Sequence, residues 1–387
     1  MMTIGCDGKP LINPLDGSTC NGGIVGAGGG GAGGGTPVLF NPATRTVLAT
    51  AFKHPVAAIA AAATVHPTSP PPPPPSGDLW FTIQHWDLTA EIGRITSSGV
   101  ITTYPITASA FPRSICAGPD GNMWFTEFVG KRLGRITPAG AVTEFTSGLT
   151  SVRSLVGIAA GPDGNLWFTE ETPDPTFGLD HTDGFGFITP GGTITEFNTP
   201  GGTAPGGGPR GICLGPDGNM WFAYGATGYS RIAKITPSGS YADFSTGITA
   251  GSGPSAICPG PDGNLWFTET NANKVGRITP SGVVTEFGPS SGIGMFGICL
   301  GPDGNLWFTK AGGQIGKITP AGTITEYSSG LTSGADPYGI CSGPDGSLWF
   351  TENSTGKIGR ITPAGVITEF TVGTSLYLYG IAAQGSI

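Results

Sequence analysis

An all-β fold, a seven-bladed β-propeller of four-stranded blades, is predicted by three features of the sequence. Glycine and proline make up 69 and 35 of the 387 residues, which leaves little room for long helices. Tryptophan recurs in one context at spacings of 44, 43, 54, 45, 41 and 42 residues. Each repeat divides at its turns into four short strands, and seven repeats of about 42 residues are typical of a propeller. The recurring tryptophans are Trp80, Trp124, Trp167, Trp221, Trp266, Trp307 and Trp349.

The four strands are clearest in the repeat that runs from Tyr338 to Phe370, YGICSGPDGSLWFTENSTGKIGRITPAGVITEF. In order they are GICS, LWFTE, IGRIT and VITEF. GPDG and TPAG predict tight turns, because proline fixes φ, aspartate bonds its own backbone and glycine accepts a positive φ. Leu-Trp-Phe is apolar without alternation, so we expect the second strand to be buried between neighbouring blades.

Ring closure is predicted from the two ends of the repeat region. The first repeat begins at GDLWFT and lacks the GIxxG strand that opens the other repeats. The sequence YLYGIAAQGSI, residues 377–387, supplies a further copy of that strand. We therefore predict that it forms the innermost strand of the first blade, which removes the free sheet edges.

The N-terminal region differs in character from the repeats. Residues 1–75 contain VGAGGGGAGGG and a run of six prolines, with few large apolar side chains. Such composition predicts a low-complexity, disordered region, in which Pro70–Pro75 forms a stiff polyproline spacer. The predicted propeller domain is 76–387.

Composition also excludes some partners. The net charge of −8 and the absence of a Lys/Arg cluster argue against nucleic acid, and no apolar run of 18 residues predicts a membrane span. The start as written has no signal-peptide pattern, so we expect a soluble, cytoplasmic monomer. Residues 53–64, KHPVAAIAAAAT, would suit a secretory signal if the true start lay downstream, which leaves a secreted or cell-envelope location open.

The short uniform turns fall on one face of the propeller, and the variable connections fall on the other. Binding residues usually sit on variable loops of a rigid scaffold, so we expect a small molecule or a protein to bind at this variable face. Two rings of side chains are predicted there. The first ring precedes the innermost strands: Arg113, Val156, Arg210, Ser255, Phe296, Tyr338 and Tyr379. The second ring ends the second strands: Ile83, Glu127, Glu170, Tyr224, Glu269, Lys310 and Glu352.

The glutamates of the second ring have two interpretations. If antiparallel pairing puts both rings side by side, four carboxylates surround one channel mouth and could hold a cation through oxygen ligands. Alternatively, they cap backbone amides or pair with neighbouring basic residues. The acids of the outer strands are expected to pair with bases of the third strands. Those acids are Glu144, Glu196, Asp243, Glu286, Glu326 and Glu369, and the bases are Arg135, Lys234, Arg277, Lys317 and Arg360.

Three further features carry weaker hypotheses. The inserted loop ETPDPTFGLDHTDG, residues 171–184, is either a metal-binding loop or a solvated acidic one. His85 is expected to be a surface histidine. Cysteines recur at one position of the innermost strands and alternate with alanine, which predicts reduced packing thiols, whereas Cys6 and Cys20 could pair with each other. The repeated cysteines are Cys116, Cys213, Cys258, Cys299 and Cys341.

The pattern GPDGNLWFTE followed by GRITPxGxITEF resembles the streptogramin B lyase family, also called virginiamycin B lyases, over essentially all of residues 77–387. The resemblance implies magnesium-dependent opening of cyclic depsipeptides by elimination, with two histidines and two acids on the variable face. By resemblance, Tyr338 stands at the place of the catalytic histidine and Phe296 at that of the other. Asp336 and Glu352 take the places of the two acids.

The two substituted positions favour binding over catalysis. Elimination needs a base that is partly unprotonated near neutral pH, and tyrosine, which ordinarily ionises near pH 10, serves this role poorly. We therefore predict a binding or scaffold protein that uses Arg113, Arg210, Phe296, Tyr379 and the glutamate ring. The alternative is a carbon–oxygen lyase that acts through Tyr338, with magnesium at Asp336 and Glu352 as the resemblance implies.

Overall fold

The computed structural model describes residues 77–149, 153–171, 183–199, 208–226, 229–288 and 294–385, together with the backbone of two short strands nearer the N-terminus. The regular secondary structure of these described residues consists of β-strands. The described residues include no helix that could span a membrane.

The structure describes a β-hairpin in the N-terminal region. Strands β1 (Leu39–Asn41) and β2 (Thr46–Ala49) pair antiparallel in a sheet of their own. The prediction of disorder for residues 1–75 did not include this hairpin. The rest of that prediction, with the proline run, Cys6 and Cys20, lies outside the described residues.

The remaining strands form seven antiparallel sheets of four strands, which confirms the predicted seven-bladed propeller. We number the blades 1 to 7 in the order of their second strands. The second strands are β3 (Leu79–His85), β7 (Met123–Glu127), β11 (Leu166–Glu171), β15 (Met220–Ala226), β19 (Leu265–Glu269), β23 (Leu306–Lys310) and β27 (Leu348–Glu352). The innermost strands of blades 2 to 7 and then blade 1 are β6 (Pro112–Ala117), β10 (Ser154–Ala160), β14 (Pro209–Leu214), β18 (Pro254–Pro259), β22 (Met295–Leu300), β26 (Pro337–Ser342) and β30 (Leu376–Ala383).

The third and fourth strands complete each blade on its outer side. The third strands are β4 (Ala90–Ile95), β8 (Arg132–Ile136), β12 (Gly184–Ile188), β16 (Tyr229–Ile235), β20 (Lys274–Ile278), β24 (Gln314–Ile318) and β28 (Lys357–Ile361). The fourth strands are β5 (Ile101–Ile106), β9 (Val142–Phe145), β13 (Ile194–Asn198), β17 (Tyr241–Phe244), β21 (Val284–Phe287), β25 (Ile324–Tyr327) and β29 (Ile367–Thr371).

Ring closure occurs as predicted, because β30 pairs with β3 and completes blade 1. The indole Nε1 of Trp80 donates a hydrogen bond to Oε1 of Gln384, at 3.2 Å. In blades 2 to 7 the equivalent indole donates to the aspartate of its GPDG turn, at 2.8–3.0 Å. Gln384 therefore takes the place of that aspartate in the blade that closes the ring.

The second strands form the core between blades. Their repeated tryptophans are at most 2% exposed. Trp80 of blade 1 packs with Met123 and Phe125 of blade 2, as the apolar Leu-Trp-Phe pattern predicts. Gly134 lies beside Phe125, where an added Cβ would stand 2.0 Å from the ring Cζ atom. The glycine of the third strand therefore makes room for the phenylalanine of the second.

The predicted pairing of outer-strand acids with Arg135 and its equivalents is wrong. Arg135 lies opposite Thr143, whereas Glu144 lies opposite Gly134, so their side chains point to opposite faces of the blade. Arg135 instead covers the Trp124 ring, with its Cζ 5.5 Å from the centroid, and approaches the turn aspartate at 3.9 Å. Lys234, Arg277, Lys317 and Arg360 also lie over the tryptophan and beside the turn aspartate of their blades.

The five repeated cysteines are free and largely shielded, as predicted. Burial raises the pKa of the Cys116 thiol to about 12. A thiol with so high a pKa holds almost no thiolate near neutral pH, so these cysteines act as packing groups.

Candidate functional site

A central cavity of about 320 Å³ is lined by residues from all seven innermost strands. Each strand contributes three consecutive residues, and the first of the three is the residue predicted for the first ring. All seven predicted residues therefore lie in one site. They are Arg113, Val156, Arg210, Ser255, Phe296, Tyr338 and Tyr379.

Threonines of the second strands position this ring. Thr126 accepts a hydrogen bond from the Ser114 N–H at 3.1 Å and donates one to the Val156 carbonyl of the next blade at 2.8 Å. A bulge between Pro112 and Ile115 accompanies this bond. The same bridge occurs in blades 1, 3, 5, 6 and 7, whereas blade 4 has Ala223.

The sequence prediction did not identify these threonines as positioning residues. Their signal was present, since threonine follows Trp-Phe in six of the seven repeats. Each hydroxyl bonds the backbone carbonyl of a cavity residue in the next blade, so it ties neighbouring innermost strands together. The cavity ring is therefore held by interblade hydrogen bonds as well as by strand pairing.

Aromatic side chains form one wall of the cavity and continue outward from it. Phe296 stacks on Tyr338 with ring centroids 4.9 Å apart, and Tyr338 meets Tyr379 edge to face at 5.5 Å. Tyr377 follows at 6.4 Å and Trp86, which is 64% exposed, at a further 6.1 Å. We call these five rings the aromatic track; it runs from exposed Trp86 to the cavity.

Arginines form another wall. The guanidinium carbon of Arg113 lies 4.4 Å from the centroid of Phe128 and 5.8 Å from that of Tyr379. Nε of Arg210 lies 4.0 Å from Oε2 of Glu171. No aspartate or glutamate is among the described residues that line the cavity. The cavity is therefore basic, although the chain as a whole has a net charge of −8.

The second ring does not surround the channel mouth, so that predicted placement is wrong. Glu127, Glu170, Glu269 and Glu352 are 0%, 1%, 0% and 0% exposed, and none of them lines the cavity. The reason is geometric: the innermost strand stands between the second strand and the channel, and side chains project perpendicular to the sheet. These glutamates instead contact polar and charged residues of their own blades.

Each buried glutamate takes part in a charge cluster within its blade. In blade 2, Glu127 lies opposite Arg132, with Nε and Oε2 2.5 Å apart, and Glu144 lies 3.4 Å from the same nitrogen. In blade 3, Arg153 bonds Glu170 at 3.0 Å. These contacts match the structural interpretation of the glutamates rather than a shared cation site.

The two carboxyl groups beside Arg132, those of Glu127 and Glu144, have pKa values shifted in opposite directions. Burial, together with the nearby charge of Glu144, raises the pKa of Glu127 to about 7, although Arg132 opposes this shift. Glu144 is partly buried, but hydrogen bonds from Thr107 and the charge of Arg132 lower its pKa. Burial and Glu196 raise the pKa of Glu170 to about 8. The cluster therefore favours one protonated and one ionised carboxyl.

Replacing Glu269 by glutamine should flatten the dependence of stability on pH. Burial raises the pKa of Glu269 to about 7 in the folded protein, against an ordinary value of 4.5. This carboxyl therefore stabilises the fold fully below about pH 4.5, and the contribution is lost as the pH rises through about 7. Between pH 5 and pH 8 the free energy of unfolding of the wild type should fall by about 2–3 kcal/mol more than that of E269Q. Urea titrations at both pH values measure this, and equal decreases would contradict it.

No feature of the described residues marks Asp336 and Glu352 as a magnesium site. Glu352 faces the interior of blade 7, where Thr355 donates a hydrogen bond to its Oε2. Its Oε1 lacks a hydrogen-bond partner among the described residues, but so does one oxygen of Glu127 and of Glu269. Blades 2 and 5 have no acid at the position equivalent to Asp336, yet their glutamates also have such an oxygen. An oxygen without a hydrogen-bond partner is therefore a feature of the repeat and does not indicate a metal site.

The other candidate ligands are not brought together either. Within the described ranges, no three His, Cys, Asp or Glu side chains are grouped so as to hold a metal ion. Residues 172–182 of the inserted loop lie outside the described part, and Asp183 at its end is 4% exposed. His85 is half-buried, with Nε2 3.0 Å from Glu91 Oε2.

The fold and the repeats agree with a family comparison. Residues 54–184 and 176–375 match the model of the virginiamycin B lyase family. The chain belongs to the virginiamycin B lyase family.

Solved structures include relatives of this virginiamycin B lyase family member. Virginiamycin B lyase from Staphylococcus aureus is 35% identical over 67% of this chain and 84% of that chain, with a TM-score of 0.60. The same values hold for its catalytically inactive histidine-to-alanine variant with quinupristin. A streptogramin B lyase structure is 32% identical over 70% and 87% of the two chains, with a TM-score of 0.62. A search of curated proteins returned no match.

The described lining of the cavity in this family member has no histidine. The chain has four histidines, and none is among the described residues that line the cavity. Tyr338 and Phe296, the residues at the two histidine positions by resemblance, stack on each other in the cavity wall. The site is therefore aromatic where the family pattern has imidazole.

Proposed function

We propose that this member of the virginiamycin B lyase family is a binding protein that takes a small molecule in its central cavity. The observation that carries the proposal is the stacked pair of Phe296 and Tyr338, which places two aromatic rings where the family pattern has histidines. A stacking wall binds flat apolar groups well and supplies no base near neutral pH. The aromatic track extends this wall to exposed Trp86.

A ligand screen tests the binding proposal. Small molecules that raise the melting temperature of the wild type are titrated against F296A and against V366A, a control at a TPAG turn where Val366 is 61% exposed. We expect ligands of the cavity to bind F296A at least tenfold more weakly and V366A with unchanged affinity. Ligands that bind all three proteins equally would place binding elsewhere and overturn the proposal.

A lyase is the second candidate, favoured by the 35% identity to the Staphylococcus aureus enzyme. In this reading Tyr338 takes part in catalysis, with magnesium bound as the family resemblance implies. Elimination breaks the ester carbon–oxygen bond and leaves a carboxyl group and a carbon–carbon double bond, so ring opening does not change the mass. Hydrolysis would add one water.

Incubation with quinupristin, with and without magnesium, tests the lyase. The products are separated by chromatography and fragmented in a mass spectrometer, because the cyclic and eliminated forms have equal mass. We expect only intact quinupristin. Magnesium-dependent ring opening that disappears in Y338F and in E352Q would overturn the binding-only proposal.

A further inference from the structure

We propose that the ligand of the central cavity combines a flat apolar ring with an anionic group, the ring on Phe296 and Tyr338 and the anion on Arg113. This inference rests on the proposed binding function and names its ligand class. It requires a free cation, an absence of competing acids, and a stacking surface close enough to the cation for one ligand to contact both groups.

Arg113 supplies the free cation. Of the nine arginines in the described ranges, the other eight each have a carboxylate oxygen within 4.0 Å. No carboxylate in those ranges lies within this distance of Arg113, and no side-chain hydrogen bond from its guanidinium is formed there. Its contacts are the rings of Phe128 and Tyr379, at 4.4 and 5.8 Å. A guanidinium held by ring faces keeps its N–H donors for a ligand.

The surroundings of Arg113 favour an anion. Arg210 lines the same cavity two blades away and is 39% exposed, and its one carboxylate neighbour is only at the 4.0 Å limit. The described lining contains no acid that would neutralise these two cations. Carboxylate, sulfonate and phosphate groups match the planar fork of arginine. A neutral ligand would leave the guanidinium group of Arg113 without a charged partner.

The stacking surface is one ring away from the cation. Arg113 lies over Tyr379, Tyr379 meets Tyr338 edge to face, and Tyr338 stacks on Phe296. These contacts join adjacent blades in the order 2, 1, 7 and 6. A ligand whose anion is attached directly to an aromatic system can therefore contact both features at once. Aromatic carboxylates and sulfonates are such ligands.

Two dyes of one skeleton provide the test. Anilinonaphthalene sulfonate carries a sulfonate, and N-phenyl-1-naphthylamine has the same rings without it. Both are titrated by fluorescence against the full chain, R113Q, Y338A and the control R277Q, whose arginine covers Trp266 and does not line the cavity. For the wild type we expect one sulfonate dye per chain, bound at least tenfold more tightly than the neutral dye.

The variants separate this inference from the binding proposal. R113Q should bind the sulfonate dye about tenfold more weakly than the wild type and the neutral dye with unchanged affinity. Y338A should bind both dyes more weakly, and R277Q should bind both with unchanged affinity. If Y338A weakens both dyes but they bind the wild type equally and R113Q changes nothing, the cavity binds ligands without selecting anions, and only this inference fails. If Y338A affects neither dye, the proposed binding site itself is overturned.

Discussion

Replacing Lys310 by glutamate should lower the free energy of unfolding by about 3–5 kcal/mol. Lys310 ends the second strand of blade 6, is 0% exposed and bonds Glu326 at 2.5 Å. In K310E two carboxylates face each other inside the blade. The residue opposite position 310 is Gln314, which supplies no positive charge.

Adding Gln314→Lys should restore most of that stability. In blade 7, Glu352 lies opposite Lys357, which bonds Glu369 at 2.6 Å. The double variant K310E/Q314K rebuilds this glutamate–lysine–glutamate arrangement in blade 6. Because the two positions form one cluster, their effects should be strongly non-additive.

Urea unfolding followed by tryptophan fluorescence measures the cycle, with Q314K alone as the matched control. Q314K should be less stable than the wild type, since it adds a second lysine beside Lys310. If K310E and the double variant are equally destabilised, the charge cluster is not what determines the residue at this position.

Deleting the last ten residues should abolish cooperative folding of the propeller. The deletion removes residues 378–387 and with them most of β30, the strand that completes blade 1. The edge of β3 then loses its partner, and Phe81 and Ile83, both 0% exposed in the closed ring, lose their cover. We expect an aggregating chain without a sharp thermal transition, because an unpaired apolar edge recruits other strands.

Two milder variants serve as controls for the deletion. A chain that ends at Gly385 keeps all of β30 and Gln384, and should melt as the wild type does. Gln384→Ala removes only the bond to Trp80 and should cost about 1 kcal/mol. A ten-residue deletion that still melts sharply near the wild-type temperature would show that the ring does not depend on this strand.

The strands and turns of the fold could be predicted from the sequence because the same strand and turn residues recur in each repeat. The predicted strand LWFTE is β27, Leu348–Glu352, and the turn aspartates accept the indole hydrogen bonds of their blades. The predicted cavity ring also holds, since a residue at the start of every innermost strand must meet its equivalents around the axis. Residues that are equivalent in the sequence repeats therefore occupy equivalent positions around the propeller axis.

The errors of the sequence analysis concerned the face of the blade to which a side chain points. Arg135 and Glu144 belong to neighbouring strands, and only the register shows that they occupy opposite faces. Glu127 ends its strand at the variable face, as predicted, yet its side chain points into the blade toward Arg132. In each case the sequence identified the right strand and the structure was needed to assign the face.

The sequence by itself determined the strands, their number per blade, the seven-fold repetition and the closing strand, because each depends on local turn chemistry and on recurring apolar runs. Only the tertiary structure decided which charges are neutralised and which remain available. Arg113 and Arg132 cannot be told apart by residue type, and both stand near the ends of strands. Arg132 meets Glu127 inside a blade, whereas Arg113 meets two aromatic rings at the axis. That difference arises because residues from distant repeats converge there, and no stretch of the chain contains it.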